Sequence, residues 1–423
     1  MEKTIIVARF DLGQKEYEIK AVLEELELLT ESAGGNVVGF FYQKRRSPDK
    51  KYHIGKGKAN EIKNAAYAKG VELIVFYNRL SNIQQRNLER FFKLKVVDRT
   101  GLILDIFARR ARTLEGKLQV ELALLLYHLP RLTGKGTQLS RLGGGIGTRG
   151  PGETKLEVDR RTINKRIARI KKRLQKVIKD RNTRRKSRKS NPVPVVSLVG
   201  YTSAGKSTLF KNLTGEDVPV SRKLFSTLDP ILRRVELNEI RAGYYLLLSD
   251  TVGFIRDMPK ELFKSFKATL EEVVQSDLVL HVIDIATSDY LERKKEVQNV
   301  LEELGIREEN IIYVYNKIDM LEDFAGEAED WQTGDRTGAD EVFISAKENR
   351  GIPGLKKAIY EKYFRDYELY KLILPRDVLT IDSIKKWGIV VKQNVRNSMM
   401  DLEILCLKEK MIQFKDKYGG YLR

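Results

Sequence analysis

Gly200-Tyr201-Thr202-Ser203-Ala204-Gly205-Lys206-Ser207 follows an apolar run from Val193 to Val199 and leads into Thr208-Leu209-Phe210-Lys211-Asn212-Leu213. The run reads as a buried strand, and the stretch after the glycines reads as the start of a helix. Strand, Gly-rich turn and helix in that order are the context that a G-x-x-x-x-G-K-[ST] pattern requires. Gly200 and Gly205 let the backbone wrap closely round an anion with its N–H groups pointing inward. Lys206 adds positive charge toward the β- and γ-phosphates, and the Ser207 hydroxyl offers an oxygen to Mg²⁺. The bland alternative is a glycine turn that merely joins strand to helix. The context favours a nucleoside triphosphate site lined by Gly200 through Thr208.

Downstream, apolar runs end in polar tetrapeptides. Tyr244 to Ser249 ends at Asp250-Thr251-Val252-Gly253, and Asp277 to Ile283 ends at Asp284. Ile311 to Tyr315 ends at Asn316-Lys317-Ile318-Asp319, and Val342 to Ile344 at Ser345-Ala346-Lys347. Open parallel sheets place ligands at such carboxyl ends. An Asp319 carboxylate accepts from both N1–H and the 2-amino group of guanine, donors that adenine lacks. Leaving that charge buried and unpaired costs roughly 3–5 kcal/mol, so GTP is favoured over ATP. Asn316 would brace the loop, Lys317 would lie over the base, and the Ala346 N–H would meet the guanine oxygen. Asp250 would hold Mg²⁺ through water, and Gly253 would offer an N–H to the γ-phosphate. Phe225-Ser226-Thr227-Leu228-Asp229 occupies the switch position, with Thr227 a Mg²⁺ ligand only when the γ-phosphate is present. Lys206, Thr227 and Gly253 are the expected catalytic contacts. Phe254 stands where many GTPases carry a water-orienting glutamine. A phenyl ring cannot do that, so slow hydrolysis is expected until a partner supplies the missing group.

With 423 residues, the chain is expected to hold roughly three domains. Its single cysteine, Cys406, excludes an internal disulfide and a cysteine-based zinc site. It reads as a small buried hydrophobe. Met1-Glu2-Lys3-Thr4 lacks a signal-peptide core and no run of about 18 apolar residues occurs. A soluble, cytoplasmic protein without integral membrane association is expected. Net charge is +20, and from Lys155 to Lys189 there are 17 Lys and Arg against Glu157, Asp159 and Asp180. Solvated charged helices ordinarily mix the two signs, so this excess points to a polyanion, nucleic acid first.

Residues 1–112 alternate strand-like and helical patterns, which predicts a small parallel sheet with helices packed on it. Within it Gly55-Lys56-Gly57-Lys58 reads as a helix-start turn rather than a phosphate loop. Leu118, Leu122, Leu125, Leu129 and Leu132 recur at 4-3-4-3 spacing, as do Ile163, Ile167, Ile170, Leu174 and Val177. Two such stripes predict an antiparallel helical hairpin with a coiled-coil seam. Their connector, 133–152, holds eight glycines. It reads either as an idle tip or, preferably, as one that orders on phosphate-rich RNA. Lys135, Arg141 and Arg149 of the connector and Arg160, Arg161, Lys165 and Arg166 beyond it are the candidate RNA contacts. His53, His128 and His281 have no ligand spacing and read as structural. Trp331 and Trp387 read as packing or surface residues rather than stacking platforms. The predicted fold class is α/β: an N-terminal parallel α/β domain (1–112), a basic helical hairpin (113–190), a P-loop GTPase domain with a mixed, doubly wound sheet (191–365), and a small α+β appendage (366–423).

Leu118-Gln119-Val120-Glu121-Leu122, the run Gly143-Gly144-Gly145-Ile146-Gly147-Thr148-Arg149-Gly150-Pro151-Gly152-Glu153, the loop at Gly200, Phe225 to Asp229 and Asp250 to Phe254 together resemble the HflX family of translational GTPases. The resemblance covers nearly the whole chain and is least distinctive over the last ~50 residues. It implies a monomeric GTP/GDP-binding protein with Mg²⁺ as cofactor. Its partner would be the large (50S) ribosomal subunit and its rRNA, with domain 1 and the hairpin tip reaching toward the peptidyl-transferase centre. GTP-bound protein would split stalled or idle ribosomes. Family members are also credited with ATP hydrolysis and RNA unwinding through the N-terminal part. The family loop commonly has Asn at the place of Ser203, a K⁺ ligand in related GTPases, and the shorter serine departs from that pattern. Two other readings stand beside ribosome splitting: a ribosome-assembly GTPase on pre-ribosomal RNA, and an RNA-binding GTP switch with little turnover.

Overall fold

The computed structural model describes residues 2–132, 155–188, 193–216, 224–225, 231–241, 243–251, 253–256, 270, 272–321, 340–375, 379–396 and 399–419. The predicted RNA contacts Lys135, Arg141 and Arg149, the switch residues Ser226, Thr227, Leu228 and Asp229, and Val252 and Trp331 lie outside them. The chain forms two compact units. The first carries the N-terminal sheet, most of the basic helix and the pair Leu224-Phe225; the second carries the remaining sheets.

In the first unit, strands β1 (Glu2–Phe10), β2 (Gly35–Lys44), β3 (Leu73–Phe76) and β4 (Lys95–Asp98) form a parallel sheet in the order β2-β1-β3-β4. Ile5, Ile6 and Val7 of β1 and Ile74, Val75 and Phe76 of β3 are wholly buried, as central parallel strands covered on both faces should be. Helices α1 (Glu16–Ser32), α2 (Lys56–Lys69), α3 (Asn82–Phe92) and α4 (Arg99–Arg110) follow in turn. Gly55 is the N-cap of α2, so the Gly55 to Lys58 turn starts a helix as expected, and its N–H is taken by Gln43 Oε1 at 2.8 Å. Ser81 and Gln84 close a reciprocal capping box on α3. The sequence reading had no place for β4. Its end supplies Asp98, which is wholly buried and caps α4 through Gly101 N (2.9 Å). Asp98 also accepts from the Tyr127 hydroxyl (2.8 Å) and pairs with Arg131 (2.8 Å), tying α5 (Leu114–His128) to the sheet.

The leucine stripe runs only partly as expected. Leu118 and Leu122 are buried on α5, but the chain tightens into a 3₁₀ turn at Leu129–Leu132, where Pro130 has no N–H to continue an α-helix. The second stripe lies on α6 (Lys155–Arg188), where Ile167, Ile170 and Leu174 are buried. Arg166 of α6 reaches Glu121 of α5 at 2.6 Å.

The second unit holds a six-stranded sheet in the order β10-β9-β8-β5-β7-β6. Its strands are β5 (Val195–Gly200), β6 (Ile231–Glu236), β7 (Tyr245–Asp250), β8 (Leu278–Asp284), β9 (Ile311–Asn316) and β10 (Glu341–Ile344). All pairings are parallel except β6 with β7. Helices α7 (Lys206–Thr214), α8 (Tyr290–Glu303) and α9 (Ile352–Phe364) lie between and after these strands. The same unit ends in an antiparallel sheet, β11 (Tyr367–Pro375), β13 (Met399–Leu407) and β12 (Ile389–Arg396) in that order, with the one-turn helix α10 (Ile381–Ile384) and the terminal helix α11 (Lys408–Tyr418). Cys406 is 1% exposed in its core, and burial pushes the thiol up to about 11.

His281 sits on β8 at 1% exposure beside the Tyr313 ring. Burial, with Lys294 and Lys206 adding repulsion, pushes it down to about 3. The folded chain therefore refuses a proton that the unfolded chain accepts below about pH 6.5, so stability falls as pH drops through that window. Between pH 7 and pH 5 the loss from this residue is about 2 kcal/mol. Chemical unfolding of His281→Leu should show a shallower fall over that range, and an unchanged slope would remove His281 as its source.

Candidate nucleotide site

Sequence-selected residues from four loops meet at the carboxyl ends of β5, β7, β9 and β10 in the second unit. Gly200 ends β5, and a Cβ placed on it would run into the Val282 carbonyl oxygen of the neighbouring strand. Gly205 holds φ +97°, and its Cβ would meet the Asn316 amide. Both glycines are therefore required by close approach. Lys206 opens α7 and is 7% exposed; its Nζ donates to the carbonyls of Gly200 (2.9 Å) and Tyr201 (2.7 Å). Burial lowers its pKa to about 8, with Asp250 opposing the shift. The ammonium thus has the anion preference of a desolvated cation held within a loop of backbone amides.

Ser207 Oγ lies 3.4 Å from Asp250 Oδ2, and Asp250 is 1% exposed at the end of β7. A hydroxyl and a carboxylate oxygen facing the same space are hard donors suited to Mg²⁺. Thr251 is pinned by its hydroxyl to the Leu198 carbonyl (2.5 Å). Gly253 leaves no room for a side chain, since a Cβ would stand 2.8 Å from Thr202 Cγ2 and 3.0 Å from Lys206 Nζ. Phe254 is buried, and its backbone is fixed to the loop on both sides: its N–H donates to Gly200 O (3.0 Å), and Thr202 N–H donates to its carbonyl (2.7 Å).

Around Asn316 a second cluster forms. Its amide donates to Ala204 O (2.8 Å) and accepts from Ala346 N (2.9 Å) at 2% exposure. The bracing expected of Asn316 is thus present. The Ala346 N–H, expected to face a guanine oxygen, is instead spent on that brace, because Asn316 reaches it directly across the pair β9 and β10. Ser345, wholly buried, donates to Asp319 Oδ1 at 2.6 Å. Lys317 adopts φ 72° and pairs with Asp284 at 2.5 Å, and Ile318 is buried while Lys347 is exposed.

Several participants were not visible in sequence. Asp284 reads in sequence only as the end of a strand, yet it fixes Lys317. Asp289, 5% exposed in its side chain, joins Arg256 (2.7 Å) and Arg293 (2.8 Å), and the Arg293 guanidinium lies 4.8 Å from the centre of the Tyr201 ring. These anchor the stretch after Gly253 and the loop residue Tyr201 to α8. No local pattern announces contacts of this separation. Phe225 is placed with the first unit, its ring edge-on to Phe107 at 4.5 Å, and Leu224 N–H donates to Ser32 Oγ at 2.8 Å. Arg160, Arg161, Lys165 and Arg166 are exposed on α6. Among the described residues no helix is long and apolar enough to cross a membrane, and no cluster of His, Cys, Asp and Glu is arranged to hold a metal ion.

Three family profiles match successive parts of the chain: GTP-binding GTPase N-terminal over residues 20–108, GTP-binding GTPase Middle Region over 110–188, and 50S ribosome-binding GTPase over 195–317. The GTPase HflX of Caldanaerobacter subterraneus subsp. tengcongensis is 45% identical over 418 residues, 98% of this chain and 94% of the relative. GTPase HflX of Escherichia coli K12 is 46% identical over 374 residues, 88% of this chain and 86% of the relative. Among solved structures, SsGBP in complex with GDP is 26% identical, covers 86% of this chain and 99% of its own, and superposes with a TM-score of 0.50. With identity of this order along almost its whole length, the chain belongs to the HflX family of GTPases.

Proposed function

We propose that this GTPase binds the large ribosomal subunit, that its GTP-bound form splits stalled or idle ribosomes, and that hydrolysis to GDP releases it in the cytoplasm. The observation that carries the first step is α6, which presents Arg160, Arg161 and Lys165 to solvent within a segment of 17 cations and three carboxylates. Such a surface binds phosphate backbones through counterion release. The description of the profile matched over residues 195–317, 50S ribosome-binding GTPase, supports the choice of polyanion.

In this reading the Gly200 to Thr208 loop cradles the phosphates, with Lys206 on their outer oxygens. Thr227 and Gly253 meet the γ-phosphate, Lys317 and Asp319 hold guanine with Ser345 fixing the carboxylate, and Asn316 braces the loops through Ala204 and Ala346. Ser207 and Thr227 would hold Mg²⁺ directly and Asp250 through water, and the ion would offset phosphate charge when bound. Phe254 offers no group that orients water, and its backbone is clamped to the loop. Turnover by the free protein should therefore be slow.

GTP hydrolysis measured with and without 50S subunits tests this directly. We expect stimulation of about 10²- to 10³-fold, the scale of one missing transition-state contact. The charge reversals Arg160→Glu and Lys165→Glu should weaken the stimulation and leave basal turnover intact. Sedimentation of intact ribosomes with a non-hydrolysable GTP analogue should show free subunits. A 50S-independent rate would refute ribosome triggering, and stimulation without splitting would favour a role in subunit assembly.

A further inference from the structure

The C-terminal appendage contains a pocket of about 350 Å³ that the nucleotide site does not use. Its walls come from α10, the segment after it and one face of α11. Trp387 and Tyr418 stand perpendicular to each other, ring centres 6.2 Å apart, and Trp387 is backed edge-on by Phe414 at 5.5 Å. Both walls are half-buried against the core of the appendage, so each ring is held in place with part of its surface in the pocket. Lys386, Lys410 and Lys417 line it with Ser383 and Gln413, and the Lys417 ammonium lies 5.4 Å from the centre of the Tyr418 ring. Lys410, Gln413 and Lys417 are spaced i, i+3, i+7 and so share one face of α11. Glu409 and Asp416 of the same helix are absent from the lining.

We propose that this pocket binds one nucleotide of a single-stranded RNA. Two fixed aromatic walls suit a planar base, which stacks on one ring and meets the edge of the other. Three ammonium groups without a carboxylate in the lining select an anion. Lys410 and Lys417, about 10 Å apart along α11, suit phosphates on either side of the stacked base. The Ser383 hydroxyl and the Gln413 amide each donate and accept, as base edges require. A volume near the lower end for small-molecule sites fits a single base with its sugar rather than a dinucleotide cofactor. This departs from the expectation that Trp387 is a packing or surface residue rather than a stacking platform: one side of its ring packs, and the other lines the pocket. The proposal does not depend on ribosome splitting, since it concerns a different surface and ligand contact.

Trp331→Phe makes Trp387 the sole tryptophan of the full chain, so its emission reports this pocket. Titration with octauridylate should quench it saturably. Lys386→Ala, Lys410→Ala and Lys417→Ala combined should weaken that response at least about tenfold and reduce its log–log salt slope by about 2. Lys386→Glu alone, an exposed position, should weaken it in the same direction. Uridine monophosphate should bind at least about tenfold more weakly than the oligomer, for want of flanking phosphates. Emission unmoved by octauridylate would overturn the proposal. So would a response that survives the triple substitution, an equal response to hexaglutamate, or monophosphate binding as tight as the oligomer.

Discussion

Asp319→Asn should lower GTP affinity by about 10²- to 10⁴-fold and turn the preference toward xanthosine triphosphate. Under the proposed recognition, the carboxylate accepts two hydrogen bonds from guanine, each charge-assisted and worth about 1.5–3 kcal/mol, about 3–6 kcal/mol together. Asparagine keeps one acceptor and replaces the other by an NH₂ that faces the guanine 2-amino group. Ser345 decides which end faces which way. Its hydroxyl donates to Asp319 Oδ1 at 2.6 Å, so the asparagine carbonyl oxygen would be held in that place. The NH₂ would then face the base, where the 2-oxo group of xanthine can accept from it. Displacement of a fluorescent guanine nucleotide by GTP and XTP gives both constants. Equal affinities in wild type and variant would show that Asp319 does not read the base.

That prediction was open from sequence because the residues involved are local. Four residues at the end of an apolar strand announce themselves by type and order, and the Gly200 loop does the same by strand, turn and helix. What sequence missed was set by pairing at a distance. β6 has only Val235 of its six side chains buried, with Arg233 and Arg234 exposed, so its apolar pattern is too thin to stand out. β11 is thin in the same way, with only Leu372 and Leu374 of its nine side chains buried. Each lies at a sheet edge, where one face need not be apolar. β4 is four residues long and becomes a strand by pairing with β3. The Lys317–Asp284 pair and the Asp289 cluster are likewise products of strand order rather than of spacing. The Leu129 and Leu132 positions kept the stripe's spacing but lost its helix, because a proline outweighs periodicity.

The loops of the site are also joined to each other, and the joint is one side chain. Asn316 belongs to the base-reading tetrapeptide, yet its amide nitrogen holds Ala204 of the phosphate loop and its oxygen holds Ala346 of the loop after β10. Whatever shifts one loop is felt at the other two. Under the proposed recognition, a guanine seated between Asp319 and Lys317 would help fix the phosphate loop as well, a physical reason for base and phosphate to be bound cooperatively.

Asn316→Ala should accordingly be the most damaging single change at the site. Ala204 and Ala346 are wholly or almost wholly buried, so removing the amide leaves one carbonyl and one N–H without their partner. At about 1–3 kcal/mol for each orphaned group the cost is about 2–6 kcal/mol, a large share of an ordinary domain's stability. Thermal unfolding should move down sharply, and the upward shift on adding GDP should shrink because affinity falls with it. Gly205 supplies the control that separates loop bracing from general damage. A methyl group there meets the Asn316 amide and also suffers φ +97°, a backbone cost that L-residues carry in any surroundings. In the Asn316→Ala background the clash is gone and only the backbone cost remains. Gly205→Ala and Asn316→Ala should therefore lose less together than the sum of their separate losses. Strict additivity would mean that the two loops do not press on each other through Asn316, and base and phosphate binding would then have to be treated as independent.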